Sequence, residues 1–357
     1  MKIHRKLSLI AFADSYHSVY TILKSWLILS LVTLTVPVIQ GCDKHMHPQD
    51  GDFTEEETDS SVKLAVRKAD QAKIRTLDAF VFNADQLKRL DCYQRYEEAA
   101  KEQFLIGSCA GEKIILLCAN IPWEKVGWEE VQSLQRASSL KVDLEDEDSD
   151  YPVMSAQVRL SAGCDTSGII LERLTSEIEL RSVRCDFSGK PYEGEAITDA
   201  RAYLTNANAT CCISPEDNHT MERIINHRSL MPEDVIRFRN PRHISDSLGT
   251  VNPSVSYPDI RFLCYPNTST EESMGTPFTR LVIEGKIQGQ TWYWPININR
   301  DCGSDHEGIS RNRRYVYDIT IRSRGTKDPD TPIVPEMAET TFTTEKWEEK
   351  EPYHVSF

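Results

Sequence analysis

Cys42 has the most specific chemical setting of any residue in the chain. An apolar run from Trp26 to Ile39 closes on Gln40-Gly41-Cys42, basic Lys2, Arg5 and Lys6 precede it, and an acidic polar stretch begins at Asp43. A charged start, an apolar segment and a small residue before the cut form an export signal. A thiol directly after the small residue is the pattern of a bacterial lipoprotein, whose cysteine is lipidated and becomes the new N-terminus. The same run also fits a transmembrane helix or an ordinary secretory signal. It is short for a membrane span, and of the three only lipidation needs a cysteine here. Residues 1–41 are therefore expected to be a lipoprotein signal peptide, with the chain from Cys42 onward exported and tethered at a membrane surface.

Other reactive residue types are plentiful but poorly arranged. With Cys42 set aside, nine cysteines remain: Cys92, Cys109, Cys118, Cys164, Cys185, Cys211, Cys212, Cys264 and Cys302. An odd set with no CxxC pair is neither a disulfide framework nor a zinc site. Several are expected as small buried hydrophobes, with one or two bridges left open. His45 and His47 form an HxH in a polar stretch, and His306-Glu307 stands outside any HExxH. The acidic run from Asp143 to Asp150 lacks the central glycine and closing glutamate of a calcium loop, and reads as a solvated loop. There is no GxSxG and no phosphate-cradling glycine loop. No catalytic residue, metal or cofactor is expected, and the chain does not read as an enzyme. Trp292-Tyr293-Trp294 suits a sugar-stacking platform, the mark of a glycan-binding surface lipoprotein. Alternate strand residues face opposite sides, however, so core packing accounts for part of the cluster.

The 357 residues carry a net charge of −14. The leader is basic, so the exported part is more acidic still, which excludes nucleic acid as a partner. Residues 42–60 hold Gly, Pro and acids with little apolar content and read as a flexible tether. From Val62 the texture turns to alternation: Val62, Leu64 and Val66 interleave with Lys63, Ala65 and Arg67, as in a half-buried strand. Further strands are expected at Ile74-to-Phe82, Lys113-to-Ala119, Gln157-to-Ser161, Ile169-to-Leu174, Glu177-to-Val183, Ile197-to-Thr205, Arg261-to-Tyr265, Arg280-to-Ile287 and Tyr315-to-Arg322. Gly289 marks the tip of a hairpin that runs on through Trp292 and Trp294. Trp123 to Ala137 has the best helical spacing. A polar Pro/Gly segment after Cys185 suggests a junction. The expected architecture is all-β, with two tandem β-sandwich domains at 61–184 and 185–357.

Several segments, taken in order, carry a resemblance. They are Ile74-Arg-Thr-Leu-Asp-Ala-Phe-Val-Phe82-Asn, Ala119-Asn-Ile-Pro122, Pro152-Val-Met-Ser155, Leu171-Glu-Arg-Leu-Thr-Ser-Glu-Ile178 and Ala202-Tyr-Leu-Thr-Asn206. Gly308-Ile-Ser-Arg-Asn312-Arg-Arg-Tyr315 and Gly325-Thr-Lys-Asp-Pro329 follow. With the lipoprotein leader, the series resembles the fimbrillins of Bacteroidales, subunits of type V pili, over nearly the whole exported chain. The resemblance implies two transthyretin-like β-sandwich domains, an outer-membrane precursor held by lipid, and a cell-surface fimbrium built from other fimbrial subunits. It also implies an arginine-specific protease that removes the first strand, leaving an apolar groove for a neighbour's terminal strand. On this sequence the removable strand is Val62, Leu64 and Val66, cut after Arg67. Arg75 is the competing site, which would clip into the next strand. The donor would be Tyr353, Val355 and Phe357. The alternatives are that Arg67 is an ordinary exposed strand residue and that the tail is an edge strand of its own domain. Each apolar side chain buried contributes about 1.5–3 kcal/mol, so a few, with a ladder of backbone bonds, could hold a joint on the order of 10 kcal/mol.

Overall fold

The structure, a computed structural model, describes residues 61–68, 73–97, 103–107, 111–122, 124, 130–161, 166–214, 221–300, 307–334 and 337–346. Cys42, the His45/His47 pair, Trp347 and the tail bearing Tyr353, Val355 and Phe357 lie outside these residues. Among the described residues no helix is long and apolar enough to cross a membrane.

In the first half, the strands are β1 (Ser61–Lys68), β2 (Thr76–Asn83), β3 (Leu90–Glu97), β4 (Gln103–Gly107), β5 (Glu112–Ala119), β6 (Lys141–Asp143), β7 (Met154–Ser161) and β8 (Thr166–Arg173). Seven of them form one sheet in the order β3-β2-β5-β7-β8-β1-β4. Toward its β3 end, β2 and β5 read as near-continuous apolar runs rather than alternating ones, because both faces of the sheet are covered there. Phe80, Phe82, Ile114, Leu116 and Cys118 enter the main core. Leu77, Ala79, Val81, Ile115, Leu117 and Ala119 face the other way and build a second core with Met154, Ala156 and Leu171.

The expected helix from Trp123 is much shorter in its described part: α1 is only Leu134–Ser138, with Ser133 as its N-cap. The preceding backbone is engaged elsewhere. The Leu90 amide donates to the Gln132 carbonyl, the Leu134 amide donates to the Lys88 carbonyl, and Arg89 bridges Ser133. Bridging at Gln132 and Ser133 keeps the helix from extending back through Val131, while Trp128 lies outside the described residues.

In the second half come β9 (Ser176–Cys185), β10 (Ile197–Thr205), β11 (Ala207–Asn208), β12 (Thr210–Cys212), β13 (Ile224–Ile225), the short helix α2 (Pro232–Val235), β14 (Ser245–Val251), β15 (Ile260–Cys264), β16 (Arg280–Ile287), β17 (Gln290–Asn297), β18 (Arg313–Ile321) and β19 (Ala338–Lys346). Two four-stranded sheets result, β14-β10-β16-β17 and β15-β9-β18-β19. Their alternating apolar residues share the main core: Ala202, Leu204, Leu281 and Ile283 from one, Ile178, Leu180, Tyr315, Tyr317 and Ile319 from the other. The hairpin turn is as expected: Gln288 and Gly289 both have positive φ, 51° and 76°, the pairing that a two-residue turn of matching twist requires. Gly285 is a close approach, since a Cβ there would lie 2.3 Å from the Ile197 side chain.

β9, assigned from sequence to the end of the first domain, is hydrogen-bonded instead to β15 and, in parallel, to β18. The chain therefore changes sheets between Arg173 and Ser176, some ten residues before the polar junction after Cys185.

Candidate functional site

Strand β1, which holds Val62, Leu64, Val66 and Arg67, is paired on both sides by strands distant in sequence. On one side β4 runs antiparallel to it, from Ser61↔Gly107 to Ala65↔Gln103. On the other, β8 runs parallel, with Val66 against Ile169, Arg67 against Ile170 and Lys68 against Leu171. Leu171 is fully buried in the second core and Ile169 packs against it. The register shifts between Leu64 and Val66, a bulge of the kind that bends a strand and locally ends regular pairing. Among the described residues the β4 ladder stops two residues short of Arg67. Among the described residues, Arg67 thus sits where β1 is paired along one edge, with β8.

Arg75 lies in a different environment, at the entry to β2. Its amide donates to Asn120 Oδ1 at 2.8 Å, and its guanidinium lies 4.0 Å from the centroid of the Tyr151 ring. Asn120 has a φ of 60°, a left-handed conformation that asparagine tolerates better than most residues. These residues line a cavity of about 230 Å³ that also includes Arg95, Arg239, Asp143, Asp146, Glu147 and Asp148.

Two buried acids near this region are not evident from sequence. Glu147, in the acidic run expected to be solvated, is 2 % exposed. It accepts hydrogen bonds from Tyr265 Oη and the Val153 amide, and burial pushes its carboxyl up to about 7. The acidic loop is thus partly a core element, and Tyr265, 118 positions away, is what draws it in. Asp78, on β2, is fully buried with its carboxyl raised to about 6 by burial, against the opposing effects of Tyr93 Oη at 2.9 Å and Arg95 at 3.6 Å.

The aromatic platform does not form. Trp294 is fully buried and donates its indole N–H to the Ser323 carbonyl. Trp292 packs against the main core, and Lys327 Nζ lies 3.4 Å from its ring centroid. Trp292 and Tyr293 are each half-buried, so the three rings do not share one exposed face. Cys118, Cys185 and Cys264 are buried free thiols, and burial raises each of them above the usual cysteine range. Cys92, Cys211 and Cys212 are half-buried, while Cys109, Cys164 and Cys302 lie outside the described residues. Among the described residues no group of three His, Cys, Asp or Glu side chains is placed to hold a metal.

Solved structures share this architecture. A candidate cell adhesion protein from Bacteroides eggerthii matches with a TM-score of 0.60 at 19% identity, over 81% of this chain and 96% of its own. A fimbrilin from Porphyromonas gingivalis matches with a TM-score of 0.59 at 16% identity, over 82% of this chain and 98% of its own. The C-terminally truncated tip fimbrial protein Mfa3 of the same species matches with a TM-score of 0.51 at 12% identity, over 80% and 99%. The chain thus has the all-β sandwich fold of the fimbrilins. No protein-family model matches it, and no curated protein matches it in sequence.

Proposed function

We propose that this chain is a structural subunit of a type V fimbrium, stalk or tip, which polymerises by strand exchange and serves adhesion at the cell surface. In this reading the precursor is held at the outer membrane by lipid on Cys42. An arginine-specific protease cuts after Arg67, and β1 leaves a slot between β8 and β4 bordered by the second core. A neighbouring subunit's terminal strand, with Tyr353, Val355 and Phe357 alternating along it, fills that slot. The division into two sandwich domains belongs to the same proposal, with its boundary at Leu174-Thr175, where the chain changes sheets.

The observation that carries the reading is the position of β1. It lies inside a sheet, paired with β8 and β4, yet one cut after Arg67 separates it covalently from every later strand. A strand lost there leaves two unpaired edges, a strong template for another chain. The fold shared with fimbrilins supports the same role.

The test is to treat the purified precursor with an arginine-specific protease and run the product unboiled. A ladder of heat-sensitive multimers is expected. Unchanged monomer that is retained on a polysaccharide matrix would overturn the reading in favour of a non-polymerising glycan-binding lipoprotein.

A further inference from the structure

Between β1 and the body lie two more basic residues that a trypsin-like protease would recognise, Lys73 and Arg75. Both are held. The Lys73 amide donates to the Asp150 carbonyl at 3.1 Å, and Asn120 Nδ2 donates to the Lys73 carbonyl at 2.8 Å. Asn120 Oδ1 accepts from the Arg75 amide at 2.8 Å and, more weakly, from the Thr76 amide at 3.5 Å. The Asn120 amide donates to the Thr76 carbonyl, and Nδ2 also reaches the Pro152 carbonyl at 2.9 Å. Above this backbone knot, the Arg75 guanidinium and Lys73 Nζ lie 4.0 and 5.6 Å from the Tyr151 ring centroid. Three of the sequence segments quoted above, those containing Ile74, Asn120 and Pro152, thus converge on one side chain.

A protease binds its substrate as an extended strand and needs the side chain before the cut in its own pocket. A segment tied down through both backbone and side chain must first open locally, and its cleavage slows in proportion. We propose that Asn120 and Tyr151 form a clamp that withholds Lys73 and Arg75 and so confines processing to the Arg67 end of β1. The clamp also keeps β2 anchored, so that the cut removes β1 and nothing more. This inference rests on the processing reading above, but it is scored on a different bond.

The experiment is a trypsin time course on the purified full-length chain, with new N-termini identified by mass spectrometry. The wild type is expected to yield termini at Lys68 or Ala69, with those at Ile74 and Thr76 delayed until the body is degraded. Asn120→Gly keeps the left-handed backbone without strain and deletes the side-chain bonds. The Thr76 terminus should then form about tenfold faster, or more, relative to the Lys68 terminus. Tyr151→Leu leaves the Asn120 bonds in place and should give a smaller rise. A wild type that yields Thr76 as fast as Lys68 would overturn the clamp. So would an unchanged ratio in folded Asn120→Gly or, should that variant not fold, an unchanged ratio in Tyr151→Leu. Multimers are scored separately. Resistance at Arg75 without multimers after the Arg67 cut keeps the clamp and removes the fimbrial reading; multimers with an unchanged Asn120→Gly ratio do the reverse.

Discussion

Strands β1 and β17 are both well paired, but they are attached to the molecule in opposite ways. β17 follows β16 through the two-residue turn at Gln288-Gly289, and all eight of its residues are in register with β16. Its far edge is covered by the chain itself, through the Tyr293–Thr326 bridge and the Ile333 amide donating to the Pro295 carbonyl. β1 has no short connection to either partner. Its neighbours β4 and β8 come from 103–107 and 166–173, and residues 69–75 are all that lead from it to β2. A strand need not be weakly bound to be exchangeable. It needs to be hydrogen-bonded within a sheet but dispensable to the connectivity.

The largest effect should come from the region that is not built for exchange. Trp294 is fully buried between sheets, so Trp294→Ala is expected to cost about 3–5 kcal/mol in denaturant unfolding, whether or not β1 is present. Leu171 sits in the second core opposite Lys68, and Leu171→Ala should cost about 2–5 kcal/mol in the intact chain. With β1 excised that cost should fall by half or more, because the site is then open and little packing is left to lose. Equal costs in the two forms would mean that β1 does not close this core.

Glu147 gives an intermediate effect with a defined pH window. Its folded carboxyl titrates at about 7, above the ordinary 4.5, so between these values the folded state binds more protons than the unfolded one. Its contribution therefore becomes destabilising as pH rises from about 4.5 to 7 and stays so above that. Glu147→Gln should gain on the wild type across this window by on the order of 3 kcal/mol, read from paired unfolding curves at several pH values. A constant difference would place the acid in a more solvated site. The smallest effect is at the hairpin tip. Gly289→Ala meets no atom within 4 Å but must hold a φ of 76°, and should cost about 1 kcal/mol.

The legible parts of the chain were those whose local pattern agrees with their tertiary role. The β10 and β16 strands were read with the bounds the structure gives them, and Gly289 fixed the hairpin, because sequence-adjacent strands carry their pairing in a turn. Several edge strands were missed, although β15 and β17 at other edges were read. β3 and β19, Leu90–Glu97 and Ala338–Lys346, are rich in charged and hydroxyl residues and leave little apolar alternation, as an edge half in solvent permits. β1 itself was legible as a strand, but its place between β8 and β4 was not, since neither partner is adjacent in sequence and the β8 pairing joins Leu64 to Thr166. Glu147 looked solvated by composition and is buried by a distant tyrosine. Asn120 stood in a quoted segment, yet its role needs two remote carbonyls and two remote amides to meet its side chain.

Hydrogen–deuterium exchange on the precursor, on the cut chain after release of the segment ending at Arg67, and on the multimer tests the central claim most directly. The amides of Gln103–Gly107 and Thr166–Arg173 should lose protection on release and regain it in the multimer, while those of Arg280–Ile287 and Gln290–Asn297 stay unchanged throughout. Protection of β4 and β8 that survives the loss of β1 in the monomer would contradict the account.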